Sequence, residues 1–320
     1  MSNTSNTIRQ SAAFGRIMLC VDSAEDWADA ATFVTALAGA DSRACILGLL
    51  ENARAMIPQA PLASFNVSAA HSRLQRGVAS SVSRARISLE SAGIGVDTRI
   101  ADLFDEGGDS AHALTRAAHA WHADLMVLDA RQHLSVQRWT ERASQDDPGL
   151  AQCSMLVLPA RSTANPTTRP RRLLCAVDGS PASLESLREG VKIAAPGALV
   201  RAIYVLDRSA RGNETTSRRS LQEAFFDEGR AALAKARAAF AESWPAQDFE
   251  FETALVCAEE AGDDVAHAIV REAQRWNADA ILMGTHGLRG VARWMLGTVS
   301  GRVSELTPVP LLLSRRRAAR

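Results

Sequence analysis

The sequence predicts an α/β protein made of two tandem doubly wound domains, each a five-stranded parallel sheet with helices on both faces. Three observations lead there. Short runs that are apolar throughout alternate with longer amphipathic stretches, as expected of strands covered on both sides by crossover helices. The chain repeats itself at a nearly constant offset, and a polar Pro/Thr-rich stretch separates the two copies.

The repeat is read from residue matches. Ala111-His112-Ala113 recurs as Ala266-His267-Ala268, Trp121 as Trp276, and Ala123-Asp124 as Ala278-Asp279, all 155 residues apart. Val136-Gln137-Arg138-Trp139 recurs as Val291-Ala292-Arg293-Trp294 at the same offset. Upstream, Cys20-Val21-Asp22-Ser23 answers Ala176-Val177-Asp178-Gly179-Ser180, with Asp22 and Asp178 156 residues apart. Two domains follow, over 14–160 and 171–316, each long enough for its own buried core. The segment 161–170 between them lacks apolar periodicity and suits an extended linker.

In the first copy the strand-like runs are 17–21, 44–50, 96–100, 125–128 and 155–158; in the second they are 173–177, 199–206, 249–256, 280–283 and 311–313. Helical periodicity in the second copy covers 182–194, 220–241 and 264–276. The charged segment 207–219 reads as a solvated loop, with a flap over a pocket as the alternative.

Composition narrows the partners. Thirty-six basic against 36 acidic residues leave no net charge, which argues against nucleic acid or an anionic membrane as the main partner. Arg315, Arg316, Arg317 and Arg320 form a basic terminus expected to be solvated. Five cysteines are odd in number, scattered and without a C-x-x-C pair, so they read as buried thiols in a reducing compartment. The first 13 residues lack the apolar core of a signal peptide, and no apolar run approaches the ~20 residues needed to span a bilayer. A soluble, cytoplasmic protein is expected.

The most informative motif follows the fourth strand of the second copy. It reads Gly284-Thr285-His286-Gly287, then nine residues, then Gly297-Thr298 at the start of a helical pattern that includes Val299, Val303 and Leu306. Closely spaced glycines let backbone N–H groups approach a phosphate. A Gly-Thr step at a helix start adds N–H donors, a hydroxyl and the positive end of the helix dipole. In a doubly wound sheet this loop sits at the carboxyl ends of the strands, where ligands bind.

With these residues in place, the chain resembles the universal stress protein family over nearly its whole length. ATP-binding members of that family carry G-x2-G-x9-G-[S/T], which Gly284, Gly287, Gly297 and Thr298 match, after a first strand ending in Asp, as Val177-Asp178 does. The resemblance implies an adenine nucleotide alpha hydrolase-like fold and dimer-like association of domains. It also implies ATP in the C-terminal domain, accompanied by Mg2+ or Mn2+ on its phosphates. Asp178 would contact ribose, or a metal-bound water; Ala176 and Val205 would flank adenine, with Val177 beside them at the strand end. Met283 would lie beneath the ribose and adenine edge. Gly284, Gly287, Gly297, Thr298 and Val299 would hold phosphate. Pairing of the two domains within the chain is implied, and a homodimer is an open alternative. Gly301 departs locally, as an interior helical glycine.

The first copy has Asp129 and Gln132 where the second has Gly284 and Gly287, and Arg142-Ala143 where Gly297-Thr298 would fall. A carboxylate repels phosphate and Cβ atoms obstruct backbone approach, so this domain is expected to be structural or regulatory. Arg131 and Arg142 read as surface ion-pair partners, with binding of another anion as the alternative.

Other signatures are weak or absent. His119 and His122 have metal-ligand spacing on a predicted helix, but no third ligand is identifiable nearby, and no metal site or catalytic residue is expected. His112 and His267 occupy equivalent helix positions and read as helix-terminal or packing residues. His286, in the glycine loop, is either a phosphate neighbour or exposed. A Walker A lysine, a G-x-G-x-x-G after the first strand and a G-x-S-x-G elbow are missing. The expected function is a stress-response, nucleotide-dependent regulator. The alternatives are a slow ATP hydrolase or phosphotransfer protein using Asp178 or His286, and a nucleotide-free scaffold.

Overall fold

Ten strands join in one sheet in the computed structural model, which describes residues 13–23, 27–52, 66–105, 110–129, 153–159, 167–206, 217–244, 248–258, 264–285 and 298–315. The strands are β1 (Arg16–Val21), β2 (Arg43–Leu50), β3 (Gly95–Asp102), β4 (Leu125–Asp129), β5 (Ser154–Leu158), β6 (Arg172–Ala176), β7 (Leu199–Leu206), β8 (Glu250–Cys257), β9 (Ala280–Gly284) and β10 (Leu311–Ser314). The helices are α1 (Ala28–Leu37), α2 (Val67–Ser91), α3 (Ser110–Trp121), α4 (Pro181–Gly190), α5 (Ser217–Ser243), α6 (Val265–Arg275) and α7 (Thr298–Leu306). All ten expected strands are present.

The spatial order is β3-β2-β1-β4-β5-β10-β9-β6-β7-β8. Each half is therefore a parallel five-stranded unit of the same winding. The two meet through one antiparallel pair, with Met155 opposite Leu313, Leu156 opposite Leu312 and Val157 opposite Leu311. Because β5 and β10 run in opposite directions, the carboxyl edges of the two halves open at opposite ends of the sheet.

The central strands are buried along nearly their whole length because both faces are covered. One apolar layer lies under α1, α2, α4 and α5, the other under α3, α6 and α7. Each layer runs through the junction: Leu156 and Leu312 belong to the first, and Met155, Val157, Leu311 and Leu313 to the second. The expectation of a separate core for each half is corrected here, since side chains on β5 and β10 weld the cores together. The edge strands β3 and β8 are charged instead, with Asp97 and Arg99 on one and Glu250 and Glu252 on the other, which discourages further strand addition.

The repeated residues explain themselves at the amino-terminal edges of β1 and β6. Asp124 accepts the N–H groups of Gly15 (2.8 Å) and Arg16 (3.1 Å), and Asp279 accepts those of Arg171 (2.8 Å) and Arg172 (2.9 Å). The Arg16 guanidinium lies 4.2 Å over Trp121 and donates Nε–H to its carbonyl; Arg172 does the same with Trp276, also at 4.2 Å. His122 and Asn277 each follow the helix in a left-handed conformation, at φ 53° and 51°. His122 thus lies beyond the end of α3 rather than on it. His119 meets it edge-on at 6.2 Å, and among the described residues neither joins a third metal-ligating side chain.

Three further expectations change. The helix expected over 182–194 ends at Gly190, and residues 191–193 form a turn. Ser217–Arg219, expected in the loop, belong to α5, while 207–216 lie outside the described residues. Arg315, expected to be solvated, is buried, and residues 316–320 are outside the description. At the end of the expected linker, the Arg169 guanidinium is docked on the carbonyls of Ala36 (2.9 Å), Leu37 (2.9 Å) and Lys192 (3.3 Å), bridging the two halves.

Candidate functional site

Strand order locates the crevice. In the C-terminal half, β6 is followed on one side by β7 and β8, while β9 and β10 lie on its other side. The winding reverses between β6 and β9, and ligands of such sheets settle beyond the carboxyl ends at this point. Ala176 ends β6 beside Met283 of β9 and Ile203 of β7. Ala176, Val205, Met283 and Val299 all belong to the layer beneath α6 and α7; Met283 is buried and the other three are half-buried. This makes a continuous apolar wall reaching the carboxyl edge. Val177 faces the opposite layer, and its N–H is taken by the Ile203 carbonyl at 2.9 Å. Its side chain therefore lines no part of this wall.

Asp178 stands at the strand exit. Its Oδ1 accepts the Ser180 N–H at 2.9 Å, an Asx turn that carries the chain through Gly179 at φ 81° into α4. Ser180 then caps α4 by accepting the Ser183 N–H at 3.2 Å, with Pro181 at the first helical position. Gly284 faces this same first turn. A Cβ there would stand 2.6 Å from the Ser183 nitrogen and 2.7 Å from the Ala182 carbonyl carbon. The glycine is thus required by the approach of β9 to α4, a reason the spacing of the motif did not reveal.

Helix α7 begins at Thr298, so its unpaired N–H groups lie at the same carboxyl edge. Gly287, Gly297 and His286 lie outside the described residues. Gly301 is buried within α7. Beside it, Asp264 caps α6 by accepting the His267 N–H at 2.9 Å, contacts the His267 ring at 2.8 Å, and pairs with Arg302 of α7 at 2.8 Å. Burial raises the Asp264 pKa, but the His267 N–H and ring and the Arg302 charge outweigh it, so the carboxyl is held below its usual range. His267 thus has the helix-terminal place that sequence suggested. Sequence alone did not single out Asp264 or Arg302, because their link is made between two helices.

The N-terminal half differs at the corresponding edge. Asp22 follows β1, Glu51 follows β2 and Asp129 ends β4, all half-buried. Burial pushes the Glu51 carboxyl up, and the Asp22 charge pushes it further. Carboxylates thus stand at three adjacent strand ends, at an edge ill suited to a polyphosphate. Gln132, Arg131, Arg142 and Ala143 lie outside the described residues.

Four cysteines are buried, as expected, and burial pushes their thiols up, to about 11 for Cys45 and about 12 for Cys175. Cys257 is the exception: it ends edge strand β8 and is exposed. Among the described residues no helix is long and apolar enough to cross a membrane.

Comparison with known proteins bears on the family and the fold. The universal stress protein family model matches residues 170–315. A universal stress protein of Methanocaldococcus jannaschii is 32% identical over 153 residues, covering 46% of this chain and 82% of the relative. Among solved structures, a universal stress protein from Archaeoglobus fulgidus superposes with a TM-score of 0.59 at 15% identity, covering 96% of this chain and 98% of that one. A functionally unknown protein from Pseudomonas aeruginosa gives 0.52 at 16% identity, covering 98% and 95%. At these identities the structural matches speak to the fold, and they do so along the full chain.

Proposed function

Since the chain belongs to the universal stress protein family, we propose that it is a tandem member, with domains at 14–160 and 171–316, that binds ATP in the C-terminal crevice and acts as a nucleotide-dependent regulator of a stress response. The observation that carries this reading is the convergence at one switch point of an apolar wall, a strand-end carboxylate and the start of a helix. Ala176, Val205 and Met283 would take adenine, and Asp178 would take ribose or a metal-bound water through its second carboxylate oxygen. The N–H groups at Thr298 and Val299, with Gly287 and Gly297 before them in sequence, would take the phosphates. Gly284 and the main chain at Val177 would shape the strand ends around them. Mg2+ or Mn2+ would enter on the phosphates. The buried thiols suit a reducing cytoplasm, and the acidic edge of the N-terminal half supports a single nucleotide per chain.

Calorimetry with MgATP tests this directly. The expected result is one ATP per chain, lost in Gly287→Val with the circular dichroism spectrum unchanged. Wild-type protein that takes up no ATP, or a Gly287→Val variant that binds it normally, would overturn the reading. ATP turnover that disappears in Asp178→Ala while ATP affinity is retained would instead identify a slow hydrolase.

A further inference from the structure

The N-terminal half carries a side-chain cluster that no nucleotide reading uses. His71 lies in the second turn of α2, Asp102 ends β3 and Asp105 follows three residues later. One ligand atom from each lies within 4.8 Å of the other two. His71 Nε2 stands 3.3 Å from Asp102 Oδ2. That separation is long for a charge-assisted N–H···O bond, which runs about 2.7–2.9 Å. It is close to the ~3.4 Å edge between two ligands of one tetrahedral ion with bonds of about 2.0–2.2 Å.

The surroundings hold this pair in place. Asp102 Oδ1 accepts the N–H groups of Phe104 (2.9 Å) and Asp105 (3.4 Å), so the carboxylate is oriented with Oδ2 toward the imidazole. The Phe104 ring covers the imidazole at 4.6 Å between centroids. His71 and Asp102 are 15% and 18% exposed, which leaves them largely screened from water. His71 Nδ1 is buried without a hydrogen-bond partner, and neither Asp102 nor an ion on Nε2 supplies it with one. Asp105 is exposed and able to swing in as a third ligand.

The wider edge favours a cation. Asp102, Glu51, Asp22 and Asp129 stand at or just beyond the carboxyl ends of β3, β2, β1 and β4, four neighbouring strands. Burial and the Asp22 charge both push the Glu51 carboxyl up, as a concentration of negative charge requires. Among the described residues the C-terminal half has no counterpart to the cluster. Cys257 stands in register where Asp102 stands, each opposite the last residue of its neighbouring strand.

We propose that His71, Asp102 and Asp105 form a binding site for a divalent transition-metal ion of the zinc class. One imidazole nitrogen and two carboxylate oxygens would hold it, with water completing the shell. The imidazole disfavours Mg2+ and Ca2+, which prefer all-oxygen shells. The site needs no nucleotide, so it stands or falls apart from the ATP reading.

The test is Zn2+ titration of the full-length, nucleotide-free protein by calorimetry, beside His71→Ala, Asp102→Asn and Asp105→Asn. Melting curves of each variant serve as the fold control. One ion per chain is expected, weakened at least about 10-fold in each variant, since loss of a ligand's outer partner alone costs that much, with Mg2+ failing to compete at tenfold excess. Asp105→Asn alters an exposed side chain and keeps the test valid if the other two variants misfold. Co2+ in place of Zn2+ should give a visible absorption band that His71→Ala abolishes. Absence of stoichiometric Zn2+ binding, or Zn2+ affinity unchanged in Asp105→Asn and Co2+ absorption unchanged in His71→Ala, would overturn the proposal.

Discussion

Asp124 and Asp279 perform one task twice, each fixing two backbone N–H groups where the first strand of its half begins. Removing the acceptor leaves both donors without it, so Asp124→Ala should cost about 2–3 kcal/mol, read from urea unfolding. Asp264 acts at a helix start instead. Its folded-state pKa is depressed, so its stabilising effect is present above the ordinary carboxylate range and lost as pH falls through the folded value. Asp264→Ala should therefore destabilise by about 1 kcal/mol at neutral pH, and the difference should shrink in melts as pH falls below the ordinary carboxylate range. Thiol chemistry separates the cysteines just as cleanly. Labelling of the native protein should modify Cys257 first, with the four buried, protonated thiols reacting only in denaturant. Sequence could not make that distinction, because Cys257 sits in an apolar run like the others and only its place at the end of an edge strand exposes it.

At the scale of elements, β9 against α4 is the tightest constraint on the candidate site. Gly284→Ala would place a Cβ 2.6 Å from backbone. The strand must then move off the helix, at a cost of about 1–3 kcal/mol measured by thermal unfolding even without ligand. A nucleotide-binding defect in that variant would thus report displacement of the strand as well as any loss of phosphate contact. The strands were legible in the sequence because burial on both faces demands uninterrupted apolar runs such as 44–50 and 280–283. Helix ends were less so: 191–193 continue the apolar pattern of α4, yet those residues turn to return the chain to β7. Of the candidate site, Ala176, Val205 and Met283 were expected only through the family resemblance, and the structure sets them in one apolar layer. The cluster of His71, Asp102 and Asp105 did not, since a helix-borne residue and a strand end some thirty positions apart meet only in three dimensions. The strongest internal matches, Trp121 with Trp276 and Asp124 with Asp279, proved to mark the edge of the sheet farthest from each crevice.

For the whole molecule, the decisive feature is the junction. Glu189, buried on α4, bonds to Ser154 of β5, to Ser314 of β10 at 3.3 Å and to Lys192 at 3.3 Å, so a single carboxylate serves both halves. Glu189→Ala should cost about 3 kcal/mol and broaden or split the denaturant transition, which should be single in the wild type because both apolar layers are continuous. The antiparallel joint has another outcome. It sets the two carboxyl edges apart by a strand length of roughly 17 Å one way and five strand spacings, about 24 Å, the other. The resulting gap of about 30 Å is several times the ~8 Å Debye length at physiological ionic strength. The acidic end and the helix-start end are electrostatically insulated from each other. Charge arriving at one goes unfelt at the other, and the molecule presents two independently addressable terminals on one continuous sheet.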